Sequence, residues 1–483
     1  MNKAKVLLIY PNQDTVPRVP TALAILSAKL IEKGHDVKVF DLSFLGDKFI
    51  TDFDYLEDKG LAKKSSFSEA MGSMDNRPLD IIFKEQIRGF PPDLVGITLL
   101  QRNYANTLKC IKLVRDELGD VPIAAGGIMP TIAPDIVINT EGIDMINIGE
   151  GEESIVELAE ASVNGRAFSE IQNVWLKTDN GIKKNPLRPL INMDDSPAYN
   201  WELFDERHLI RPYEGKIYRF GSFEFGRGCT KKCTFCAAPY LKKAADGLGK
   251  YLRYKSIEQL VREMREKVDQ YNLELIQFCD ADFMQGLRVD TLREFMTLYK
   301  QEIGLPFLFQ NGPETLNEDR IKILADAGCV TITIGVESGS DRIRRHVIKK
   351  PISRERILRG FDLLRKYKIR SGANYIIGVP DETEEDVWET IHLNREIDPA
   401  SIAANYFVPF IGTELYDVCQ QRGYIDSFDS DWNMYKDNSL DMPQLSEKRI
   451  NELVNILIED FSETHIPYEY QTPEQVLEMR KVS

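Results

Sequence analysis

The chain has 483 residues, and at the usual ~150 residues per domain this length predicts about three structural units with a sizeable core. Hydrophobic residues make up 43% and charged residues 28%, which is typical of a folded globular protein, and no apolar run reaches the ~18 residues of a membrane span. The 61 Lys and Arg against 76 Asp and Glu give a net charge of −15, which disfavours nucleic acid as a partner because an acidic surface repels phosphate backbones.

The first 155 residues alternate strand and helix signals, which predicts an α/β, doubly wound (Rossmann-like) domain over 1–155. The predicted strands are 6–10, 37–42, 94–100, 122–125 and 145–148. A helix follows the first strand up to Gly34, another covers 154–164, and 46–92 is interpreted as a partly helical insertion. Such folds bind ligands at the carboxyl ends of their strands.

A polar, proline-containing connector is predicted over 156–205, and a second alternating series follows over 206–415. Its predicted strands are 218–225, 275–279, 307–310, 330–336, 373–377 and 403–408, and its predicted helices are 257–270, 289–300, 318–327, 353–368 and 384–397. Six βα repeats predict a partial (β/α)6 barrel, since a full eightfold barrel needs ~250 residues. A small helical C-terminal region over 416–483 is expected to pack over the barrel mouth.

Three of the seven cysteines, Cys229, Cys233 and Cys236, lie within eight residues in a C-x3-C-x2-C spacing. In a reducing compartment such a cluster indicates a metal site rather than a disulfide framework, and we expect a cytoplasmic protein. Three thiolates can hold three irons of a [4Fe–4S] cluster and leave the fourth iron open. The alternative is a structural zinc site, for which no fourth Cys or His follows at ligand spacing.

The residues around these cysteines fit a buried inorganic cluster. Gly226 and Gly228 let the backbone approach a cluster closely. Arg227, Lys231 and Lys232 are expected to favour the thiolate form of the cysteines.

The cysteine loop, with Phe235 as its aromatic residue, resembles the signature of the radical SAM superfamily. Residues 278–283, 335–340, 374–380 and 408–413 are similar to that family's motifs at the ends of later barrel strands. In the family, the open iron chelates S-adenosylmethionine (SAM), and one electron cleaves SAM to methionine and a 5′-deoxyadenosyl radical.

The resemblance implies a set of SAM-binding residues at the carboxyl ends of the barrel strands. They are Phe235, Asp282, Glu337, Ser338, Asn374, Ile376, Gly378 and Val408. Asp282 and Glu337 offer acceptors for an ammonium group or ribose hydroxyls, whereas Gly378 lets the backbone come near a flat ring. No residue is assigned a catalytic role.

A doubly wound unit ahead of such a barrel resembles the cobalamin-binding (B12-binding) subfamily. The implied cobalamin-binding residues are Asn12, Pro20, Thr98, Leu100, Gln101, Asn103, Gly126, Gly127, Ile128, Gly149, Glu150 and Gly151. No D-x-H-x-x-G motif offers a histidine as lower cobalt ligand, and Met129 stands where relatives often have histidine. His35 lies in a helix-to-strand turn, where a surface position is expected.

Given these cofactors, the resemblance implies methylation of an unactivated carbon of a small-molecule, lipid or peptide substrate, with flavodoxin or ferredoxin as electron donor. A cobalamin-dependent cyclisation or rearrangement without methyl transfer is the alternative within the same class. A non-catalytic cobalamin or redox sensor is the alternative from another class.

RNA methylthiolation is disfavoured because neither a second cysteine triad nor a basic appendage is present. Aromatic residues at 213, 223, 225, 240 and 309 predict a largely apolar cavity.

Overall fold

The structure, a computed structural model, describes residues 2–12, 18–46, 52–428, 434 and 440–482. Across these ranges, no helix combines the length and the apolar character that crossing a bilayer requires. The described strands form two seven-stranded sheets and one two-stranded ribbon. The predicted domain limits at 155, 205 and 415 stay predictions.

The N-terminal sheet contains the five predicted strands and a hairpin. Its strands are β1 (Lys5–Tyr10), β2 (Asp36–Asp41), β3 (Leu94–Thr98), β4 (Ile123–Gly126), β5 (Met145–Asn147), β6 (Val174–Thr178) and β7 (Gly181–Lys184). They lie in the order β2-β1-β3-β4-β5-β6-β7, and the first five are parallel, which confirms the doubly wound arrangement. The antiparallel pair β6–β7 was not predicted, because its short strands occur in a polar stretch without a clear period.

Eight helices are described in this half of the chain. They are α1 (Thr21–Glu32), α2 (Asp52–Asp58), α3 (Phe67–Met71), α4 (Leu79–Ile87), α5 (Tyr104–Leu118), α6 (Ile128–Ile132), α7 (Pro134–Asn139) and α8 (Glu152–Asn164). In the sheet, β2 lies on one side of β1, and β3, β4 and β5 follow in order on the other side. Because the connections between parallel strands are right-handed, this reversal of direction places helices on both faces of the sheet. Helices α2 to α4 confirm that the described part of 46–92 is partly helical.

The prediction of a surface position for His35 is wrong. The side chain is only 5% exposed, and its Nδ1 accepts a hydrogen bond of 3.2 Å from the backbone N–H of Ala4. Burial lowers the pKa of His35. The turn therefore packs against the start of β1 and has no role at the ligand-binding edge.

The second half of the chain contains the predicted partial barrel. Its strands are β8 (Ile210–Tyr213), β9 (Lys216–Phe223), β10 (Gly226–Arg227), β11 (Arg253–Tyr254), β12 (Leu275–Phe278), β13 (Phe307–Asn311), β14 (Cys329–Glu337), β15 (Arg370–Ile377) and β16 (Ser401–Tyr406). The six strands β9 and β12 to β16 are parallel and form a curled half-barrel, which confirms the prediction. Two pairings were not predicted: β8 runs antiparallel to the edge strand β9, and β10 and β11 form a separate ribbon.

The barrel helices cover the convex side of this sheet. They are α9 (Ala238–Ala244), α10 (Ile257–Tyr271), α11 (Val289–Glu302), α12 (Glu318–Asp326), α13 (Arg354–Lys366) and α14 (Glu384–Ile397). Asn317, Ser353 and Thr383 begin three of them, and each side chain accepts a backbone N–H of the first turn. In β15, Asn374 and Ile376 are partly accessible while their neighbours are buried, so alternate side chains face the interior lumen.

The C-terminal region is helical, as predicted, and its expected position over the barrel mouth is right for only part of it. Met434 lines a cavity at the carboxyl ends of the strands, whereas the last helix lies elsewhere. It contains α15 (Glu414–Gln421), α16 (Glu447–Thr464) and α17 (Pro473–Val482). Helix α16 packs on α14 and the edge strand β16. The Tyr468 hydroxyl then contacts Ser371, at the start of β15, and Val476 packs against Gly328, just before β14. The last segment therefore lies across the amino ends of the strands, opposite the mouth.

Candidate functional site

The cysteine loop is held in place by side chains from the neighbouring strand end. Asp280, two residues after the end of β12, accepts hydrogen bonds from the backbone N–H groups of Phe225 (3.1 Å) and Gly226 (2.7 Å). Burial raises the pKa of Asp280 to about 7. Gly228 has φ +105, and a Cβ there would lie 2.6 Å from the carbonyl oxygen of Tyr251, so both conformation and space require glycine.

The three cysteines lie at the carboxyl ends of the barrel strands. Cys229 and Cys233 are buried, Cys236 is half-buried, and the Cys236 sulfur accepts the N–H of Ala238 at 3.4 Å. Burial raises the pKa of Cys233 to about 12, while Lys350 acts in the opposite direction. Among the described residues, no three His, Cys, Asp or Glu side chains converge on one ion position. A [4Fe–4S] cluster does not require such convergence, because each thiolate binds a different iron.

A cavity of about 370 Å³ opens beside these cysteines. It is lined by all three cysteines and by Phe235, Asp282, Glu337, Asn374, Ile376 and Val408 of the predicted SAM set. The structure therefore brings six of the eight predicted SAM residues together with the cysteines. Their ligand roles stay predictions.

Two lysines of the cavity wall make three ion pairs. Lys231 pairs with Asp282 and, at 2.5 Å, with Glu314. Lys350 pairs with Glu337 at 2.7 Å and donates to the carbonyl oxygen of Gly335 at 2.5 Å. Burial raises the pKa of Asp282, and Lys231 opposes that rise. The cavity thus holds two carboxylates, each with an ammonium group beside it.

Sequence reasoning missed several residues of the cavity wall. They include Gln310, Thr333, Lys350, Asn405 and Met434. Gln310, Thr333 and Asn405 occupy inward positions of their strands, so the period of two could have found them. Lys350 follows a π-helical turn, Ile343–Val347, for which the sequence carries no recognisable signal.

The structure does not bring Ser338 and Gly378 to the cavity wall. Ser338 is fully buried, and its hydroxyl lies 3.4 Å from that of Thr390, behind the strand end. Gly378 has φ +87, a Cβ there would lie 3.2 Å from Ile450, and its N–H donates to Glu382 at 2.5 Å. Both residues shape the strand ends from outside the cavity.

Glu382 is a buried carboxyl group with one unsatisfied oxygen. The side chain is 0% exposed, and its Oε1 has no hydrogen-bond partner among the described residues. Burial raises the pKa of Glu382 from 4.5 to about 8. The folded protein therefore binds this proton more tightly than the unfolded chain does, so the free energy of unfolding falls as the pH rises from about 4.5 to about 8.

We expect Glu382→Gln to remove this pH dependence, because the amide resembles the protonated carboxyl group and carries no charge. The variant should be more stable than the wild-type protein at pH 8 by up to about 4 kcal/mol, and the difference should shrink at pH 5. Urea unfolding at the two pH values measures it. Glu385→Gln, exposed in the first turn of α14 three residues later, is the matched control. An equal difference at both pH values would contradict the prediction.

The N-terminal sheet has two adjoining cavities at its carboxyl edge. The first, about 340 Å³, lies between the ends of β1, β3 and β4 and helices α1 and α8. Six predicted cobalamin residues line it, namely Thr98, Gly126, Gly127, Gly149, Glu150 and Gly151. The second, about 350 Å³, lies between this edge and the cysteine loop, and it adds Ile128. Both cavities share the wall formed by Glu150 and Arg227.

Five predicted cobalamin residues lie outside these two cavity walls. The Asn12 amide donates to Ser43 at 3.0 Å, and Asn103 accepts the N–H of Leu100 at 2.8 Å. Pro20 precedes α1, and Leu100 is 40% exposed. Gln101 joins the two halves of the chain, as its amide donates to the carbonyl oxygen of Pro409 at 3.2 Å and accepts the N–H of Ile411 at 2.8 Å.

A charged network also crosses between the two halves. Arg227 pairs with Glu152 (2.6 Å), Glu224 (2.8 Å) and Glu150 (3.2 Å), and Arg253 pairs with Glu150 (2.6 Å). Arg227 is therefore neutralised by carboxylates, and the prediction that it favours the thiolate form of the cysteines is wrong. Instead, the Arg227 side chain ties the loop after β5 to the start of the cysteine loop, because Arg227 lies two positions before Cys229.

The predicted contribution of the aromatic side chains to an apolar cavity is also wrong for three of them. Phe223, Phe225 and Phe309 are at most 1% exposed. Phe225 packs on Phe295 at 4.6 Å between ring centroids, and Phe309 packs on Phe283 at 4.5 Å. These rings form the core of the barrel wall.

A doubly wound domain beside a half-barrel with three cysteines at its mouth defines the class of a radical SAM protein with an N-terminal cofactor domain. Residues 223–393 match the model of the radical SAM superfamily, and residues 67–159 match that of the B12 binding domain. Residues 223–393 are thus a radical SAM domain and residues 67–159 belong to a B12-binding domain, the combination found in cobalamin-binding radical SAM proteins.

Several known proteins are similar over most of the chain. An uncharacterized methyltransferase of Pyrococcus horikoshii is 26% identical over 96% of this chain and 96% of its own length. Cytidylyl-2-hydroxyethylphosphonate methyltransferase of Streptomyces wedmorensis is 25% identical over 95% and 90%. The structure of the radical SAM methyltransferase TsrM from Kitasatospora setae, with cobalamin and a [4Fe–4S] cluster bound, aligns with a TM-score of 0.64 and 22% identity, covering 88% of this chain and 76% of that chain.

Proposed function

We propose that this protein is a cobalamin-dependent radical SAM methyltransferase that methylates an unactivated carbon. The observation that carries the proposal is the cavity in which three cysteines meet the predicted SAM residues, across the domain interface from two cavities of a B12-binding domain. The full-length similarity to proteins named methyltransferases supports methyl transfer as the reaction.

The residues at the barrel mouth fit a [4Fe–4S] cluster and SAM. Cys229, Cys233 and Cys236 would hold the cluster, which supplies the electron that cleaves SAM when both are bound. Asp282 is buried, and neither of its oxygens makes a well-aligned hydrogen bond among the described residues, although Lys231 pairs with it. It is therefore ready to accept a donor from a ligand. Glu337, with Lys350 beside it, offers a second acceptor.

The N-terminal cavities fit a corrinoid with a flat nucleotide base. The first cavity is an apolar slot between Leu8, Gly96, Ala124 and Ile155, the shape and chemistry that a flat ring requires. A Cβ at Gly126 would meet no heavy atom closer than Asn147, at 4.0 Å, so this glycine leaves space in the slot. Bound cobalamin would supply a cobalt centre that carries a methyl group.

This chain's own residues would position the reacting groups and exclude water. The hydrogen bonds of Gln101 to 409 and 411, and the contact of Gly412 with Ile132, hold the two carboxyl edges against each other. A Cβ at Gly412 would lie 2.6 Å from the carbonyl oxygen of Ile132, so the backbones touch there. A substrate between the edges would be shielded from solvent, as a radical reaction requires.

Mass spectrometry of the products separates methylation from its alternatives. The protein is reconstituted without oxygen with iron, sulfide, hydroxocobalamin and methyl-labelled SAM. Methylation requires a product heavier by one CH2 that carries the label. A product of unchanged mass with 5′-deoxyadenosine formation indicates cyclisation or rearrangement, and the absence of 5′-deoxyadenosine indicates a sensor.

We further propose that an acidic electron-transfer protein such as flavodoxin or ferredoxin docks beside the cysteine loop. Residues 341–360 contain eight Lys or Arg and two Asp or Glu, in a chain that is acidic overall. The Thr234 hydroxyl, between two of the cysteines, donates to the carbonyl oxygen of Val347 at 2.7 Å, so this basic segment contacts the cluster loop. Arg345 and Lys349 are exposed. We propose a cytoplasmic location together with this donor.

Charge reversal in Arg345→Glu/Lys349→Glu is expected to lower the flavodoxin-supported rate of 5′-deoxyadenosine formation about tenfold or more, because opposite charges steer association. The rate with dithionite should stay unchanged, since a small reductant needs no docking surface. Lys112→Glu/Lys183→Glu, exposed on the N-terminal half, is the control of equal charge. Equal losses with both reductants, or with both double variants, would contradict the docking site.

A further inference from the structure

One half-buried arginine of the barrel, Arg211, has no acidic partner among the described residues. It lies on β8, and its guanidinium donates to the side-chain oxygen of Gln277 on β12 at 3.0 Å. It forms no ion pair with any carboxylate in the part of the chain that the structure describes. The charged or titratable groups near it are Arg18, which repels it, and the Cys279 thiol. Burial and Arg18 lower the pKa of Arg211 to about 9.

Other buried or half-buried arginines of this half pair with carboxylates or donate to backbone carbonyl oxygens, as Arg320 does to Met284 and Leu287. Arg370 pairs with Glu214 at 2.8 Å, Arg344 pairs with Asp341, and Arg227 has three carboxylates around it. A buried cation without a counter-charge is costly, so proteins pair such groups or bring them an anion. Arg211 instead donates to one amide oxygen and lies 5.4 Å from the centroid of the Phe220 ring, so the described part of the chain gives it no anionic partner.

The position of Arg211 is inside the barrel lumen. Tyr213, two residues along the same strand, reaches Thr331 on β14 at 2.6 Å, so this face of β8 points across the interior. Gln277 pairs with Leu308 in the register of β12 and β13. Two residues further along each strand, Cys279 therefore lies beside Gln310, which lines the cavity. Arg211 thus lies along the same lumen as the cavity that holds the cysteines.

We infer that Arg211, assisted by Arg18, binds an anionic group of the substrate, a carboxylate or a phosphate-type oxyanion, on the β8 side of the barrel lumen. This inference rests on the proposed function, because it assumes that the lumen receives the substrate. The planar guanidinium suits the paired oxygens of either anion, and Gln277 fixes its orientation. Arg18 is an exposed residue of the N-terminal half whose charge acts on Arg211, so binding would also draw on both halves of the chain.

Calorimetric titration of the reconstituted protein, saturated with SAM so that the SAM carboxylate site is filled, tests the inference with inorganic phosphate and acetate as probes. Wild-type protein is expected to bind at least one of them, and Arg211→Gln to weaken that binding about tenfold or more. The tighter probe identifies the anion class. Arg77→Gln, an exposed arginine paired with Asp75 and Glu85, is the matched control and should bind as the wild type does. No binding by the wild type, or equal binding by Arg211→Gln, overturns the inference.

Thermal unfolding provides a second readout that a merely structural arginine would not give. In buffer without either probe, Arg211→Gln should unfold at a temperature no lower than the wild type, because it removes an uncompensated charge. Arg370→Gln should unfold at a lower temperature, because it leaves Glu214 without its partner. A lower unfolding temperature for Arg211→Gln overturns the inference. Formation of 5′-deoxyadenosine and of the methylated product is measured separately, so loss of the proposed reaction is distinguishable from loss of anion binding.

Discussion

Cys233→Ala is expected to lose the iron–sulfur cluster and to lower 5′-deoxyadenosine formation by more than about a hundredfold. Loss of a group that only supports a metal ligand costs up to about a hundredfold, and loss of a ligand itself should cost more. The reason is the number of ligands, because each of the three thiolates binds its own iron and no other described cysteine lines the cavity. Iron and sulfide analysis after anaerobic reconstitution measures the cluster, and chromatography of the nucleoside products measures SAM cleavage.

Cys419→Ala is the matched control for this change. Cys419 is fully buried in α15, away from the cavity wall, and its replacement removes a sulfur of the same kind without removing a proposed ligand. It should keep full iron content, with only a modest loss of stability. A Cys233→Ala protein with the iron content and product yield of the control would show that the thiolates do not hold a cluster.

The sequence predicted the parallel strands well, because their runs are apolar and each is followed by a helix of clear period. The alternation of apolar residues places β9 and β12 to β16 in the chain, and the cysteine spacing identifies the mouth of the barrel. The hairpin β6–β7 and the edge strand β8 were missed, since short antiparallel strands at the edge of a sheet need no continuous apolar run.

The site was predicted mainly near the strand ends, and it was missed at some inward strand positions and where the chain folds back. Asp282 follows β12, Glu337 ends β14 and Asn374 lies within β15, and all three line the cavity. Lys350 reaches the cavity only because the π-helical turn before it, and a positive φ of 51° at Lys349, redirect the chain. The pairing of Arg227 with three carboxylates depends on the approach of two domains, which no local pattern reports.

The ion pairs of Glu150 indicate that this residue stabilises the domain interface. Glu150 was predicted to bind cobalamin, but it pairs with Arg227 and Arg253, and these contacts lower the pKa of Glu150 against the effect of burial. A carboxylate neutralised in this way stabilises the domain interface near both N-terminal cavities. Changes at this network would therefore alter cobalamin binding and the cysteine loop together, whereas a change inside the apolar slot affects cobalamin binding alone.

Gly126→Leu is accordingly expected to lower cobalamin retention about tenfold or more, because its side chain would fill the slot between Gly96 and Ala124. The backbone at 126 tolerates a side chain, since φ is not positive there and only Asn147 lies within 4.0 Å of the added Cβ. Cluster content and 5′-deoxyadenosine formation should persist, while the product heavier by one CH2 disappears. Corrin absorbance after gel filtration and mass spectrometry of the products measure these effects.

Gly126→Ala is the control, because one methyl group leaves most of the cavity of about 340 Å³ free. It should retain cobalamin and methylate as the wild-type protein does. If Gly126→Leu also retains cobalamin, the corrinoid binds elsewhere on the N-terminal half. If it loses cobalamin but still forms the methylated product, the methyl group does not pass through cobalt, and the two cofactor sites would act independently despite facing each other across the domain interface.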